Sequence, residues 1–438
     1  MRFKMRKSLV FIVVLTFCFT SCGSEDDIPV ITSTEQLADY LANSKSNTVD
    51  NPITVKVNIN LNEDWKNILI IIGEAGKYVA LDLSRSTGMD WFYLDVDDTG
   101  EKIVSLVLPD TVTVIDGTFK YFTALEKIAG TNVTHINAYD FSTSLTEVSF
   151  PRATYIGDNA FANCVNLTVL NFQRVTHIGE SAFDGCSNLT EVSFPRATYI
   201  SNFAFNNCIN LTEVFFPRIT HIGDSVFNDC VNLIKINFSV TTYIGDNAFA
   251  NCANLTVLIF QRVTHIGEGA FDGCTNLTEV SFPLATYISN FAFNNCISLT
   301  EVFFPRVTRL GHSAFNNCAS LTVLSFPAVT NIENSAFASC TNLREVSFPQ
   351  ATSISFSAFA NCINLSKVNF PAVTSIEWDA FYGCTNLSRV TLGAIVAANF
   401  HPSALPRNLR DIYFSTNGGE GTYTRNLQSS ISDIWIKD

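Results

Sequence analysis

The sequence predicts an α/β-type repeat solenoid: a β-rich leucine-rich-repeat stack of 22-residue coils, with a small α/β cap at its N-terminal end. Three observations predict it. The spacing Phe-x-x-Cys-x-x-Leu recurs eleven times between Phe161 and Leu387 without a slip. Its cysteines are Cys164, Cys186, Cys208, Cys230, Cys252, Cys274, Cys296, Cys318, Cys340, Cys362 and Cys384, each 22 residues after the last. The leucines keep the same register, and a fixed period of about 20 to 29 residues with leucines in register is the signature of such a stack.

One coil, Leu189 to Asn210, shows the logic (LTEVSFPRATYISNFAFNNCIN). Leu189, Val192 and Phe194 fit L-x-x-L-x-L. Val192 and Phe194 alternate with Ser193, the period of a half-buried strand. Pro195 has no amide to give a ladder, so the strand stops there. Ala197, Thr198, Tyr199 and Ile200 form a second short alternation, and a turn leads to Ala204, Phe205 and Cys208. A single coil cannot bury these side chains. Stacked coils bury them as continuous columns.

The columns persist. The strand position reads Phe172, Phe194, Phe216, Phe238, Phe260, Phe282, Phe304, Phe326, Phe348, Phe370 and then Leu392. The turn Phe extends back to Phe141 and Phe119, the unit between Phe141 and Phe161 having 20 residues and no Cys. Asn408-Leu409 continues the leucine register, but Ser403 and Pro406 replace Phe and Cys, as a terminal capping unit should. Thirteen or so rungs at about 4.8 Å each give a rod or shallow arc of roughly 60 Å. Residues 155–242 resemble residues 243–330, four repeats on, so paired features across these blocks are one observation, not two.

Composition sets bounds. The chain has 438 residues, 47% hydrophobic, with 37 Phe that the columns largely explain. A net charge of -13 argues against a nucleic-acid partner, which would want a basic stripe. It also opposes general affinity for anionic membranes. Eleven ladder cysteines cannot all pair with one another. Equivalent Cβ atoms about 4.8 Å apart also exceed the roughly 3.8 Å of a disulfide. They read as buried thiols acting as small apolar residues.

Taken in order, residues 1–22 form an export signal, with Arg2, Lys4, Arg6 and Lys7 before the apolar run Leu9–Phe19. Phe19-Thr20-Ser21-Cys22 resembles a bacterial lipobox, which makes Cys22 the lipidated residue or, alternatively, an ordinary residue of a cleaved signal. Residues 23–32 are a tether, and Gly23-Ser24-Glu25-Asp26-Asp27 resembles the acidic tag of lipoproteins sent to the outer face of the outer membrane. Residues 33–102 form the α/β cap. Ser33 and Gln36 make a capping box for a helix near 34–44. Thr54–Leu61 alternates as a strand, Asn62 caps a second helix through Trp65 to Ile72, and Tyr78–Leu83 is another strand. Asp95-x-Asp97-x-Thr99-Gly100 lacks the acidic ligand at Leu106 that a calcium loop needs, and reads as a surface turn. Residues 103–392 are the solenoid. Residues 393–438 are a C-terminal cap and tail, with Thr416–Thr424 a loop and Ile431–Ile436 a final strand. After the signal, no apolar run reaches membrane-spanning length.

Three surface features are candidates for binding. Tyr155, His177, Tyr199, His221, Tyr243, His265 and Tyr287 form a solvent-facing column, open either to cross-rung packing or to ligand contact. Successive His lie two rungs apart, about 10 Å, too far to share an ion. Phe215 and Phe303 sit outward on the strand, and Phe203, Phe291, Phe356 and Trp378 sit in the turn. Such aromatics either mark an interface or pack locally. Arg152, Arg174, Arg196, Arg218, Arg262 and Arg306 follow the strand, near the acidic column Glu147, Glu191, Glu213, Glu279, Glu301 and Glu345. They either pair with those acids or grip an acidic glycan or protein segment. Catalytic, cofactor and metal motifs are absent. A near-periodic rod also offers no singular, preorganised cluster, so the chain reads as non-enzymatic and cofactor-free.

The pattern L-T-x-V-x-F-P-x-A-T-x-I-x-x-x-A-F-x-x-C-x-N-L resembles the BspA-like leucine-rich repeats of bacterial cell-surface proteins over about two thirds of the chain. Phe on the strand departs from the Ile or Leu more usual there. The resemblance implies a surface-exposed outer-membrane lipoprotein of adhesin type. Its implied partners are host matrix or plasma proteins such as fibronectin and fibrinogen, or other bacterial surface proteins and glycans. Membrane contact would be through the N-terminal lipid alone. The alternative is a glycan-binding accessory lipoprotein. The resemblance carries no catalytic or ligand residues.

Overall fold

The computed structural model describes residues 28–95, 97–425 and 434–438. The export signal, Cys22 and the acidic tag lie outside the described residues.

The N-terminal segment alternates strand and helix: β1 (Val30–Ile31), α1 (Thr34–Asn43), β2 (Ile53–Val57), α2 (Leu61–Ala75) and β3 (Val79–Asp82). Ser33 caps α1 by accepting the Gln36 amide at 3.3 Å. The returning arm goes one residue further out than expected, with Gln36 Oε1 accepting from the Thr32 amide at 2.9 Å. The second helix starts earlier than the sequence suggested. Its cap is Asn60, not Asn62, and Asn60 Oδ1 accepts the Asn62 amide at 3.2 Å. Gly88, at φ +92, makes room for this cap, because a Cβ there would lie 1.9 Å from Asn60 Oδ1. Trp65, Ile68, Leu69 and Ile72 form the buried stripe of α2.

This segment does more than lid the first rung. Strands β1, β2 and β3 run parallel in one sheet with the first strands of the repeats: Ile103–Val107, Lys127–Ala129, Glu147–Ser149 and Val169–Asn171. A second sheet opens with β4 (Trp91–Leu94), which pairs with Val114–Gly117.

Each later coil contributes one strand to each of two faces. The long-strand face carries three- or four-residue strands such as Glu191–Ser193, and the short-strand face two-residue strands such as Tyr199–Ile200. The short-strand face is one unbroken 14-stranded parallel sheet. Between the faces, Leu211, Val214, Phe216, Ile219, Ile222, Val226, Phe227 and Cys230 of a single coil are all buried. Threonines lace the rungs together. Thr154 Oγ1 donates to the Thr134 carbonyl at 3.2 Å, and Thr176 Oγ1 to that of Thr154 at 3.1 Å.

The long-strand face is not continuous. Its sheet breaks after Asn171, Asn237 and Phe303, each 66 residues or three rungs after the last. The Phe columns supply a cause. Where the ladder is intact, ring centroids in the strand column are 5.6 Å apart at Phe194–Phe216, 5.9 Å at Phe216–Phe238 and 6.2 Å at Phe150–Phe172. Across breaks they are 5.9 Å apart at Phe172–Phe194 and 6.2 Å at Phe304–Phe326, so each of these steps exceeds the ladder spacing. In a stack of identical coils the centroid separation equals the local rung spacing. A parallel ladder holds rungs at about 4.8 Å. The rings therefore wedge this face open, and the misfit is released every third rung. A cleft of about 290 Å³ between Ile236 and Phe260 marks the middle break.

The C-terminal end is closed by antiparallel strands. Gly421–Arg425, expected as loop, is a strand paired with Arg389–Leu392, and Trp435–Lys437 pairs with it in turn. A short helix, α3 (Leu409–Tyr413), packs beneath. The Tyr413 hydroxyl donates to the Gly393 carbonyl at 2.7 Å and accepts the Ile395 amide at 2.7 Å. These bonds satisfy backbone groups where the repeats stop.

Candidate binding surface

The aromatic column lies on the short-strand face, where each residue pairs in register with its neighbours: Tyr155 with His177, His177 with Tyr199, His221 with Tyr243, Tyr243 with His265 and His265 with Tyr287. His177, Tyr199 and His221 are exposed, while Tyr155, Tyr243, His265 and Tyr287 are half-buried. The column is longer than the sequence suggested. His135 pairs with Tyr155, and Arg309 lies over the Tyr287 ring at 5.6 Å. His135 escaped notice because its unit has 20 residues instead of 22. The signal was present, one shortened unit out of phase.

The rings cover one another. Centroids lie 6.0 Å apart at His177–Tyr199, 5.7 Å at His221–Tyr243 and 4.5 Å at Tyr243–His265, the last pair nearly parallel. Where the rings stack, from His221 to His265, they present edges, not faces, to a ligand, while at Tyr155, His177 and Tyr199 they are tilted and further apart. The edges are hydroxyls and imidazole nitrogens. Thr176 Oγ1 spends its proton on the Thr154 carbonyl, so at 2.9 Å from His177 Nδ1 it accepts, and the network assigns the proton to Nδ1. Burial raises the pKa of Tyr243, as do Asp224 and Asp246. At Tyr287 burial also raises it, and Arg309 acts the other way.

The arginine column stands on the corner between the two faces, three residues before each aromatic position. Arg152, Arg174, Arg196, Arg218, Arg262 and Arg306 are all exposed. The sequence left open whether they pair with the neighbouring acids. They do not. Instead three of the six acids pair with lysines on an adjacent rung of their own column: Glu147 with Lys127 at 3.3 Å, Glu213 with Lys235 at 2.9 Å and Glu345 with Lys367 at 2.6 Å. The geometry is simple, since residues in one column are one rung apart and the arginines point from a different corner. Within the arginine column, the one bond formed is Arg152 Nη1 donating to Asn132 Oδ1 at 2.6 Å.

The outward aromatics divide. Phe303 is 55% exposed and Phe215 half-buried, both on the long-strand face. Phe203 and Phe291 adopt φ +58 and +55, a left-handed conformation that a bulky side chain rarely takes. Other units place Asn, Ser, Asp or Gly at this turn, as at Asn159, Ser181, Ser225 and Gly269. Phe356 stacks on Trp378 at 3.9 Å, leaving Trp378 half exposed.

All eleven ladder cysteines are free and buried. Each thiol donates to the carbonyl of the turn Phe one rung earlier, as Cys252 does to Phe227 at 3.1 Å. Burial pushes the Cys164 thiol up to about 12, and carries Cys186 and Cys296 well above the ordinary value. At Cys362 burial pushes upward and hydrogen bonds with the Cys340 and Cys384 thiols pull downward. Among the described residues, no group of three His, Cys, Asp or Glu side chains is placed to hold a metal ion. No helix of the described residues is long and apolar enough to cross a membrane.

Comparison with known families now decides the class. The BspA type leucine rich repeat region matches in six copies, over residues 99–190, 176–285 and 264–388. Together these run from 99 to 388, more than half of the chain. The chain belongs to the BspA-type leucine-rich repeat family. Among solved structures, this BspA-type chain is similar to a leucine-rich repeat protein from Bacteroides ovatus, at 23% identity over 64% of this chain and 82% of that one, with a TM-score of 0.41. It is also similar to a leucine rich cell surface protein from Faecalibacterium prausnitzii, at 22% identity over 64% and 88%, with a TM-score of 0.34. A third is the leucine rich repeat protein of T. pallidum, at 23% identity over 47% and 83%, with a TM-score of 0.30. No curated protein matches. BspA-type repeat proteins are surface or binding proteins, and their fold typically serves as a binding scaffold.

Proposed function

We propose that this BspA-type chain is a surface-anchored, non-enzymatic binding protein of adhesin type. It presents its repeat face to host matrix or plasma proteins, or to the surfaces of other bacteria. The supporting observation is the unbroken 14-stranded face, which carries an alternating His and Tyr column on successive rungs from His135 to Tyr287. Weak contacts repeated along a rigid array add up through effective concentration. Cys22 carries the lipid in this reading, and the outer membrane holds the anchor, with the solenoid outside. A binding array of the Gly23–Asp438 fragment against matrix and plasma proteins tests the adhesin role, and silence across all of them overturns it. Protease shaving of intact cells, together with fatty-acid labelling of the wild type and a Cys22→Ser variant, tests the address.

A second reading, a glycan-binding accessory lipoprotein, is favoured by one observation: the exposed arginines form no ion pair with the nearby glutamates.

A further inference from the structure

We propose that Arg152, Arg174, Arg196 and Arg218 form a track for a linear acidic polysaccharide, one whose sugars carry carboxylate or sulfate groups. This deepens the glycan reading above and rests on it.

Four guanidinium groups stand on four consecutive rungs of one corner. At about 4.8 Å per rung they span roughly 14 Å. Arg262 and Arg306 continue the line at two-rung intervals, carrying it to roughly 34 Å. The chain has a net charge of -13 and 27 Lys and Arg in all. Arg262 and Arg306 are the block copies of Arg174 and Arg218, so the line counts as four independent arginines, still a concentrated exception. Their charges are not spent on the neighbouring glutamates: Glu147, Glu213 and Glu345 pair with Lys127, Lys235 and Lys367, and among the described residues none of the six arginines forms an ion pair. Arg presents a planar fork of donors that matches carboxylate and sulfate oxygens in pairs, which a structural surface charge does not need.

The form of the ligand follows from the repeat. A track with identical stations at a fixed rise suits a polymer with identical units at a similar rise. A 1,4-linked pyranose advances by about the height of one rung. An extended peptide fits worse, since its same-side residues recur at about 6.8 Å. Peptide strands also dock on open sheet edges, and this corner is a turn. Three residues on, the edges of Tyr155, His177, Tyr199 and His221 offer hydroxyls and ring nitrogens for sugar hydroxyls. Beside the arginines these rings are tilted against one another, 6.5 Å apart at Tyr155–His177 and 6.0 Å at His177–Tyr199, so the track offers partly open ring faces as well as polar edges beside its charge. The carboxylates Asp158, Glu180 and Asp224 lie beyond the aromatic positions, and confine a polyanion to the arginine corner.

The experiment uses the full chain against immobilised polygalacturonate and chondroitin sulfate, with dextran as the neutral polymer, at about 0.15 M salt. Binding to one or both acidic polymers and not to dextran is expected, and the preferred polymer identifies carboxylate or sulfate as the group read. An R174Q/R196Q/R218Q variant, checked for an unchanged melting transition, should bind at least about tenfold more weakly, with a shallower salt dependence. The corresponding Arg→Lys variant keeps the charge and should recover part of the loss. Failure of the wild type to bind either acidic polymer overturns the track, as does equal binding by the Gln variant. Matrix-protein binding is measured on the same samples. If it survives while the acidic polymers stay silent, the track fails and the adhesin reading stands. If it fails while polygalacturonate or chondroitin sulfate binds through the arginines, the reverse holds.

Discussion

The thiol of Cys208 donates to the carbonyl oxygen of Phe183, one rung earlier in the stack, at 3.2 Å. The same oxygen accepts the backbone amide of Cys186 at 3.2 Å. A carbonyl has two lone pairs, and here both are used. The bond recurs from Cys164 to Phe141 through Cys384 to Phe359. Cysteine therefore does two things in its slot. It fills a small apolar space, and it supplies a donor to a buried acceptor that alanine would leave half satisfied.

Removing one thiol should be felt. Cys274 donates to the Phe249 carbonyl at 3.3 Å. Cys274→Ala deletes the donor and leaves a small void, and should cost about 1–2 kcal/mol, read as a lowered urea midpoint. In the native state all eleven ladder thiols should resist a thiol reagent, and all should react after unfolding. Prompt native labelling of several would contradict the sheltered ladder.

The thiols also set an alkaline limit. At Cys362 burial is outweighed by the hydrogen bonds with Cys340 and Cys384, which lower the pKa. Burial raises it at the other ten in the folded chain, to about 12 at Cys164 and well above the ordinary value at Cys208 and Cys252. An unfolded thiol ionises at about pH 8.5. Above that pH the unfolded chain has lost protons that the folded chain keeps. The stability linked to these thiols is thus complete below about pH 8.5 and falls as pH rises toward the folded values, by up to about 1.4 kcal/mol per pH unit for each thiol. Urea midpoints taken from about pH 7 to about pH 10.5 should drop steeply, and less steeply in the Cys274→Ala variant. Equal slopes would sink the linkage.

The periodic breaks in the long-strand face make a separate prediction. The amides of Phe194 and Phe216 bond to the next rung, at Phe215 and Asn237, each at 3.1 Å. No corresponding backbone bond is formed by Phe172, Phe238 or Phe304. In hydrogen exchange these three amides should exchange faster than those of Phe194, Phe216 and Phe282. Replacing Phe238 and Phe260 by Leu narrows the wedge and should slow exchange at residue 238. If protection there is unchanged, ring size is not the cause of the break.

Phe203 is held at φ +58, beside column neighbours Ser181 and Ser225 at +52 and +53. Phe203→Asn should stabilise the chain by about 1 kcal/mol, because Asn tolerates this conformation and Phe does not. The measurement is thermal or urea unfolding. If partner binding falls while stability rises, the strain is kept for contact. A loss of stability would show that the ring packs usefully against its turn.

Much of this was legible in residues. The slots of Val192, Phe194, Ile200, Phe205 and Cys208 are buried because a solenoid repeats one environment, so one coil read correctly serves for all. Ser33 marks a helix start by local chemistry alone. The aromatic column was visible as alternation, although His135 was hidden by a shortened unit. Other features were not local. Whether an arginine meets a glutamate depends on which corners adjoin, and the structure gives Glu147, Glu213 and Glu345 to Lys127, Lys235 and Lys367 instead. The strand at Gly421–Arg425 exists because Arg389–Leu392 offers it an edge, which no nearby sequence announces.

The sequence by itself determined the coil, its period and the inward columns, because each is fixed by contacts within one repeat and with its identical neighbours. Tertiary structure alone decided how β1, β2 and β3 join the repeat sheet, where the long-strand face breaks, and which arginines remain uncommitted. The physical reason is accumulation. A misfit between ring stacking and ladder spacing is negligible in one rung and decisive over three, and the partner of a long charged side chain is chosen by geometry that only the assembled stack defines.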